Sequence, residues 1–158
     1  HWVTRGYRVA LAGTQRSKSK LNTTHTMLIG GRQGSNYLND AWLYDWSSQE
    51  WTRTGSLNQS RYLHGCVSLG DQGVLVVGGL DGSNVYTVEK YDPALGTWSL
   101  QPNLPQNINP YAPLILNHNN QILGLFRYED QIYQRSEENG EWSVLQQANL
   151  PNGFDGYL

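Results

Sequence analysis

The sequence predicts an all-β fold assembled from repeated antiparallel units, and three observations carry that expectation. The first is the stretch Val74-Leu75-Val76-Val77-Gly78-Gly79 with the polar turn Asp81-Gly82-Ser83-Asn84 behind it. A short, β-branched apolar run bounded by glycine reads as a strand buried on both faces. A helix would need roughly 10 or more residues and would tolerate the double glycine poorly. Gly78 and Gly79 mark a point where another backbone passes close or the chain turns hard. The second observation is recurrence. Thr26-Met27-Leu28-Ile29-Gly30-Gly31 repeats the pattern ~48 residues upstream, with its own Gly34-Ser35-Asn36 behind it. Tyr44-Asp45 and Tyr91-Asp92 keep the same phase, Trp51 and Trp98 follow each tyrosine by ~7 residues, and Trp142 lies ~44 beyond Trp98. The third is composition. Aromatic residues make up 11% of the chain and glycines number 17, while Cys and Met occur once each. Such a chain builds its core from Trp, Tyr, Val and Leu on strands joined by glycine turns.

Gly-Gly, Tyr-Asp, Trp and a Leu-Pro turn at a period near 47 residues resemble the kelch repeat. Residues 64–105 (HGCVSL, GVLVVGG, VEKYDP, GTWSLQPNLP) match closely, residues 25–61 match well, and residues 111–151 match in part. The resemblance implies kelch-type β-propeller blades of four antiparallel strands. About three are present, an incomplete propeller on its own, since a closed ring needs roughly 4–8.

Taken in order, residues 1–6 hold Trp2 in phase with Trp51 and are expected as the outer strand of a preceding or closing blade. Residues 7–59 form blade one. Its inner strand is expected at residues 7–12 (YRVALA), with the polar, basic segment 14–24 looping out as an insertion before strands at 25–30, 41–46 and 50–54. Blade two covers residues 60–106. Its first strand, 64–69, alternates small and apolar residues as an inner strand should, and Pro102 and Pro105 end its outer strand, because proline suits edges. Blade three, residues 107–151, is degenerate: Leu125-Phe126 stand where Gly-Gly stood, and Arg135 where the tyrosine stood. Residues 152–158 are a tail or the start of a further blade. In each repeat the tyrosine and tryptophan are expected to pack between blades, so the structural marks are Gly30, Gly31, Tyr44, Trp51, Gly78, Gly79, Tyr91, Trp98 and Trp142. The open ends should be met by the remaining propeller blades or by another copy of the chain.

Function is narrowed mainly by exclusion. A formal charge of -2 argues against a nucleic-acid surface, which needs a basic excess on one face. No apolar run approaches the roughly 20 residues that span a membrane. Cys66 has no partner for a disulfide or a CxxC site, and the four histidines show neither HxH nor HExxH spacing. No nucleophile motif or phosphate loop is present, so no catalytic residue, metal site or cofactor is expected. The resemblance points instead to the loops of one face, where many kelch proteins bind a protein partner. Carried over by position, the candidate partner-binding residues are Arg32, Asn36, Tyr37, Arg61, Tyr62, Asp81, Asn84, Tyr111, Arg127 and Tyr128. Arg and Tyr are enriched at binding hot spots, whereas Asp81 and Asn84 also suit a plain turn. The expected function is a non-catalytic interaction or scaffold propeller. The alternatives are a carbohydrate-binding or carbohydrate-active propeller and an assembly subunit joined through open blade edges. Asn22 and Asn58 head N-glycosylation triplets, and a chain with three lysines and abundant Asn, Gln and Tyr leans extracellular.

Overall fold

The β-branched and aromatic runs between glycine turns fold as antiparallel strands. The computed structural model describes residues 7–11, 14–20 and 24–149, and side chains over 24–145. Thirteen strands and a single 3-10 turn at Gly70–Gln72 make up the regular structure there. The first sheet contains β1 (Tyr7–Leu11), β2 (Thr14–Lys20), β3 (His25–Gln33), β4 (Asn36–Asp45) and β5 (Glu50–Thr54), side by side in chain order. The second contains β6 (Gly65–Ser68), β7 (Val74–Val77), β8 (Val88–Asp92) and β9 (Thr97–Gln101). The third contains β10 (Asn109–His118), β11 (Gln121–Arg127), β12 (Gln131–Arg135) and β13 (Trp142–Asn149). The meander order of all three sheets is that of propeller blades. Residues 1–6 and 152–158, for which an outer strand and a tail were expected, lie outside the described residues, as does Asn22.

Blade one corrects one expectation. Residues 14–20 are a strand, not part of an excursion between strands. β2 pairs along β3 from Thr14↔Gln33 to Lys20↔Thr26, which gives it the innermost position next to β3 that β6 holds next to β7. β1 is a strand, as expected, but it pairs only with β2 and extends the sheet to five strands. The polar composition of residues 14–20 hid the strand. A ladder is made by backbone N–H and C=O groups, and an edge of β3 left unpaired would cost more than an unfavourable β-propensity.

The double glycines do what their spacing implies. Gly30 and Gly31 have φ of +47° and +114°, and Gly78 and Gly79 have φ of +66° and +107°. A Cβ on Gly30 would stand 2.8 Å from the Arg61 carbonyl oxygen, and one on Gly78 would stand 2.6 Å from that of Pro110. The chain linking each blade to the next crosses here. Gly31 N donates to Arg61 O at 2.8 Å, and Gly79 N donates to Pro110 O at 2.8 Å. A side chain at these glycines would block both the φ and the crossing.

Two apolar layers lie between the three blades. Met27, Ile29 and Ala41 of blade one pack against Val74, Val76, Tyr91 and Trp98 of blade two. Leu75, Val77 and Val88 on the other face of blade two pack against Ile122, Phe126, Tyr133 and Trp142 of blade three. The aromatic face of each blade therefore meets the aliphatic face of the blade before it. Polar contacts sit at the rim of the first layer: the Tyr91 hydroxyl lies 2.7 Å from Thr54 Oγ1, and Trp98 Nε1 donates to Gly55 O at 2.8 Å. In blade three, Arg135 stands at the tyrosine position and donates to Gln101 Oε1 at 3.0 Å. Phe126 is 1% exposed and meets Tyr133 and Trp142 edge to face. The strand register sets it level with Gly78, the first glycine of the pair, where the sequence spacing places it at the second.

Trp51 departs from its expected burial. It is 46% exposed, against 8% for Trp98 and 7% for Trp142. Its ring and that of Tyr44 lie 4.9 Å apart, and Trp46 closes on the other side of Tyr44 at 4.9 Å. The residue type and register are those of Trp98, but among the described residues no blade covers this face.

Candidate interaction face

The loops and strand ends beyond the double glycines form the face on which the candidate residues were placed. The β3–β4 hairpin runs past Gly31 and turns at Gly34-Ser35, which puts Arg32 directly opposite Tyr37. The Arg32 guanidinium lies 5.7 Å from the centre of the Tyr37 ring and 5.5 Å from that of Tyr62, and the two rings are 5.5 Å apart. Arg32 Nε donates to Gly34 O at 2.7 Å, which fixes the guanidinium over both rings. Tyr62 arrives from the blade one–blade two linker and is held by an antiparallel bridge to Leu80. Three separate segments thus converge on one half-buried cation–aromatic cluster.

A second cluster forms on blade three. Arg127 stands 5.1 Å from the Tyr111 ring centre and 5.4 Å from that of Tyr128. Tyr128 is 71% exposed and has φ of +66°, an uncommon conformation for a bulky residue. Such backbone conformations cost about 1–3 kcal/mol and concentrate at ligand-contacting positions. Between the clusters, Asp81 accepts a 2.7 Å hydrogen bond from Gln59 Nε2, while Asn36 and Asn84 are exposed.

Arg61 does not belong to this face. The structure makes it 0% exposed and pairs it with Glu89, Nη2 to Oε1, at 2.7 Å. Its Nη1 donates to the Gly78 and Thr87 carbonyls and its Nη2 also to Thr87 Oγ1. Glu89 additionally accepts from the Asn58 and Gln59 backbone N–H groups and from Asn58 Nδ2 at 2.9 Å. A buried cation persists only when it is paired and its donors are satisfied, so Arg61 ties the linker to blade two and is withdrawn from any partner. The same network bears on Asn58. Its Nδ2, the atom a glycan would occupy, is turned inward onto a buried carboxylate. Glu89 escaped notice in the sequence because VEKYD alternates like any half-exposed strand; only the arginine ~28 residues earlier, brought across by the linker, shows its purpose.

Comparison with known proteins agrees with this architecture. The sequence profile described as the β-propeller of tRNA wybutosine-synthesizing protein 4 matches residues 16–142, most of the chain. The chain belongs to this kelch-type β-propeller family. It is 40% identical over 55 residues to tRNA wybutosine-synthesizing protein 4 of Saccharomyces cerevisiae, covering 34% of this chain and 8% of that protein. It is 31% identical over 87 residues to the kelch repeat-containing protein kel-10 of Caenorhabditis elegans, covering 52% and 15%. It is 32% identical over 74 residues to mouse kelch-like protein 35, covering 46% and 13%. The matched segments are thus a small part of each of these much longer relatives.

In this kelch-type propeller the fold also dictates a pH response. His64 precedes β6 under the glycine crossing, and its side chain would be met by a Cβ on Gly30 or Gly79 within 3.3 Å. Neither ring nitrogen has a hydrogen bond of good geometry among the described residues. Burial, and then the neighbouring Arg61 guanidinium, hold its pKa down at about 3. The unfolded chain titrates near 6.5. Between those values the unfolded state binds more protons than the folded state, so stability falls as pH drops below 6.5 and levels off below about 3. The slope contributed by this one group is at most ~1.4 kcal/mol per pH unit. Urea midpoints between pH 7 and pH 4 should fall more steeply for the wild type than for His64→Gln. Equal pH slopes in the two proteins would show that His64 protonates freely in the native state.

Proposed function

We propose that this propeller is a non-catalytic interaction module that holds a protein partner on the face carrying the Arg32–Tyr37–Tyr62 and Arg127–Tyr111–Tyr128 clusters. The observation that carries the reading is the repeated device itself. Two arginines near the ends of equivalent strands, Arg32 in β3 and Arg127 as the last residue of β11, are each stacked on two tyrosines. No turn requires arginine, and arginine on tyrosine is the composition of interface hot spots. Stacking fixes the guanidinium before a partner arrives, which reduces the entropic cost of binding. Asp81, Asn36 and Asn84 lie in the neighbouring turns and supply acceptors and donors at the rim.

The kelch proteins among the relatives support a scaffold role. The yeast relative's name supports a second reading, in which the propeller serves a tRNA-modifying protein and the two arginines meet phosphate. The formal charge of -2 weighs against an RNA surface.

Crosslinking of the purified protein to native extract, read by mass spectrometry, tests the reading. Partners crosslinked by the wild type should be lost at least tenfold in the Arg32→Ala/Arg127→Ala double variant and kept by Arg53→Ala, which alters an exposed arginine of β5. Equal capture by the double variant would overturn the site. Titration with total tRNA separates the second reading: tight binding that weakens with salt, and weakens further in the double variant, would favour RNA over protein.

A further inference from the structure

We infer that the rim of the layer between blades two and three is a binding site for a small oxyanion, a phosphate or a carboxylate group, held by the Arg135 guanidinium and the Trp142 indole N–H. The two blade–blade layers build the same rim from different residues. In the first, the cross-strand pair Tyr91–Trp98 finds its partners on blade one: the Tyr91 hydroxyl meets Thr54 Oγ1, and Trp98 Nε1 donates to Gly55 O. In the second, the register puts the cross-strand pair Arg135–Trp142 at the same place. Arginine for tyrosine adds a positive charge and further donors and removes an acceptor. Gln101 Oε1 takes one of those donors, Nη2, at 3.0 Å. Arg135 Nε and Trp142 Nε1 are both buried, and among the described residues neither meets an acceptor.

Packing holds both donors in place. Trp142 is 7% exposed and meets Phe126 edge to face. The Cζ3 corner of its indole, across the ring from the N–H, is seated over β11, 3.0 Å from a Cβ built on Gly124. Arg135 is half-buried under the β12–β13 turn, where a Cβ on Gly140 would stand 2.6 Å from Nη2 and 3.2 Å from Pro102 Cδ. The guanidinium is thus pressed between that turn and the end of β9. Glu137, Glu138 and Glu141 share the turn but are exposed, and among the described residues none of them pairs with Arg135. Glu141 accepts from Asn139 Nδ2 instead. Burial pulls the Arg135 pKa below its ordinary value, and no carboxylate offsets it. A desolvated cation calls for a counter-charge. An oxyanion brings that charge together with several acceptor lone pairs, and the planar guanidinium suits both phosphate and carboxylate. Pro102 and Asn103 beside the site are exposed, so the rim is reached from solvent. The site shares no residue with the Arg32 and Arg127 clusters, so either reading can fail alone.

The indole N–H signals in nitrogen–proton correlation NMR spectra of the whole 158-residue chain test it. Trp142→Phe keeps a ring in the layer and removes the donor, which identifies the Trp142 signal among those of the six tryptophans. Sodium phosphate and sodium acetate are titrated in separate series at neutral pH, with sodium chloride holding the ionic strength constant. The Trp142 signal should move saturably with at least one of them, and the anion that saturates at the lower concentration names the occupant. Arg135→Tyr restores the residue type of Tyr44 and Tyr91, and its half-saturation concentration should rise about tenfold or more, the worth of one charge-assisted hydrogen bond. Arg135→Lys keeps the charge without Nε or the planar fork and should fall between the two. Arg53→Ala, on exposed β5, should respond like the wild type. As a second readout, the same anion should raise the urea midpoint of the wild type and leave that of Arg135→Tyr unmoved. A Trp142 signal that answers neither anion, the result expected if water serves both donors, overturns the inference. An undiminished response in Arg135→Tyr overturns it as well.

Discussion

Glu89→Ala is expected to destabilise the protein by about 3–5 kcal/mol, the usual cost of removing one partner of a buried ion pair. The carboxylate is the shared acceptor for the Arg61 guanidinium, the Asn58 and Gln59 backbone N–H groups and the Asn58 side chain. Its loss strands a fully buried cation and leaves donors of the linker unmatched in a site from which water is excluded. The Arg61→Met/Glu89→Leu double variant should lose far less than the two single losses added together, because apolar groups of similar volume leave no charge behind. Urea unfolding of the wild type, both single variants and the double variant measures the coupling. Additive losses would show that the pair contributes nothing as a pair. A second readout follows from where the network sits. The linker backbone carries Tyr62 toward Arg32, so Glu89→Ala should also disturb the Arg32 cluster, visible as a change in the tyrosine signals of near-ultraviolet circular dichroism.

Trp98→Ala is expected to cost ~3–5 kcal/mol and Trp51→Ala under ~1 kcal/mol in the monomeric state. The two tryptophans occupy the same place in their repeats, so neither propensity nor strand pairing separates them. Packing does. Trp98 is 8% exposed, lies 5.2 Å from the Tyr91 ring and donates to the Gly55 carbonyl of blade one. Removing it opens a cavity between two blades and leaves that carbonyl unpaired. Trp51 touches Tyr44 but leaves nearly half its surface in water. Equilibrium unfolding at low protein concentration reads the difference directly. Equal losses would mean that blade one is covered in solution even in the isolated chain.

The sequence by itself determined the kind of fold and its period. Glycine pairs at Gly30-Gly31 and Gly78-Gly79, tyrosines at Tyr44 and Tyr91, and tryptophans at Trp51, Trp98 and Trp142 are local signals of residue type and spacing, and spacing survives without three-dimensional context. They also pointed to Arg32, Tyr37, Arg127 and Tyr128 as residues beyond the double-glycine position, although the register of blade three sets Arg127 level with Gly79 and not with Leu80, as Arg32 is. Tertiary structure alone decided three things. Residues 14–20 became a strand because a neighbouring backbone offered hydrogen bonds, a gain that no side chain records. Arg61 went inside because Glu89, distant in sequence, arrived with a matching charge; an arginine in a linker otherwise reads as exposed. Trp51 stayed outside because its burial depends on a neighbouring sheet and not on its own strand. Each of these turns on what lies across a gap of many residues, and side-chain burial belongs to the pair of surfaces that meet there, which no single stretch of sequence contains.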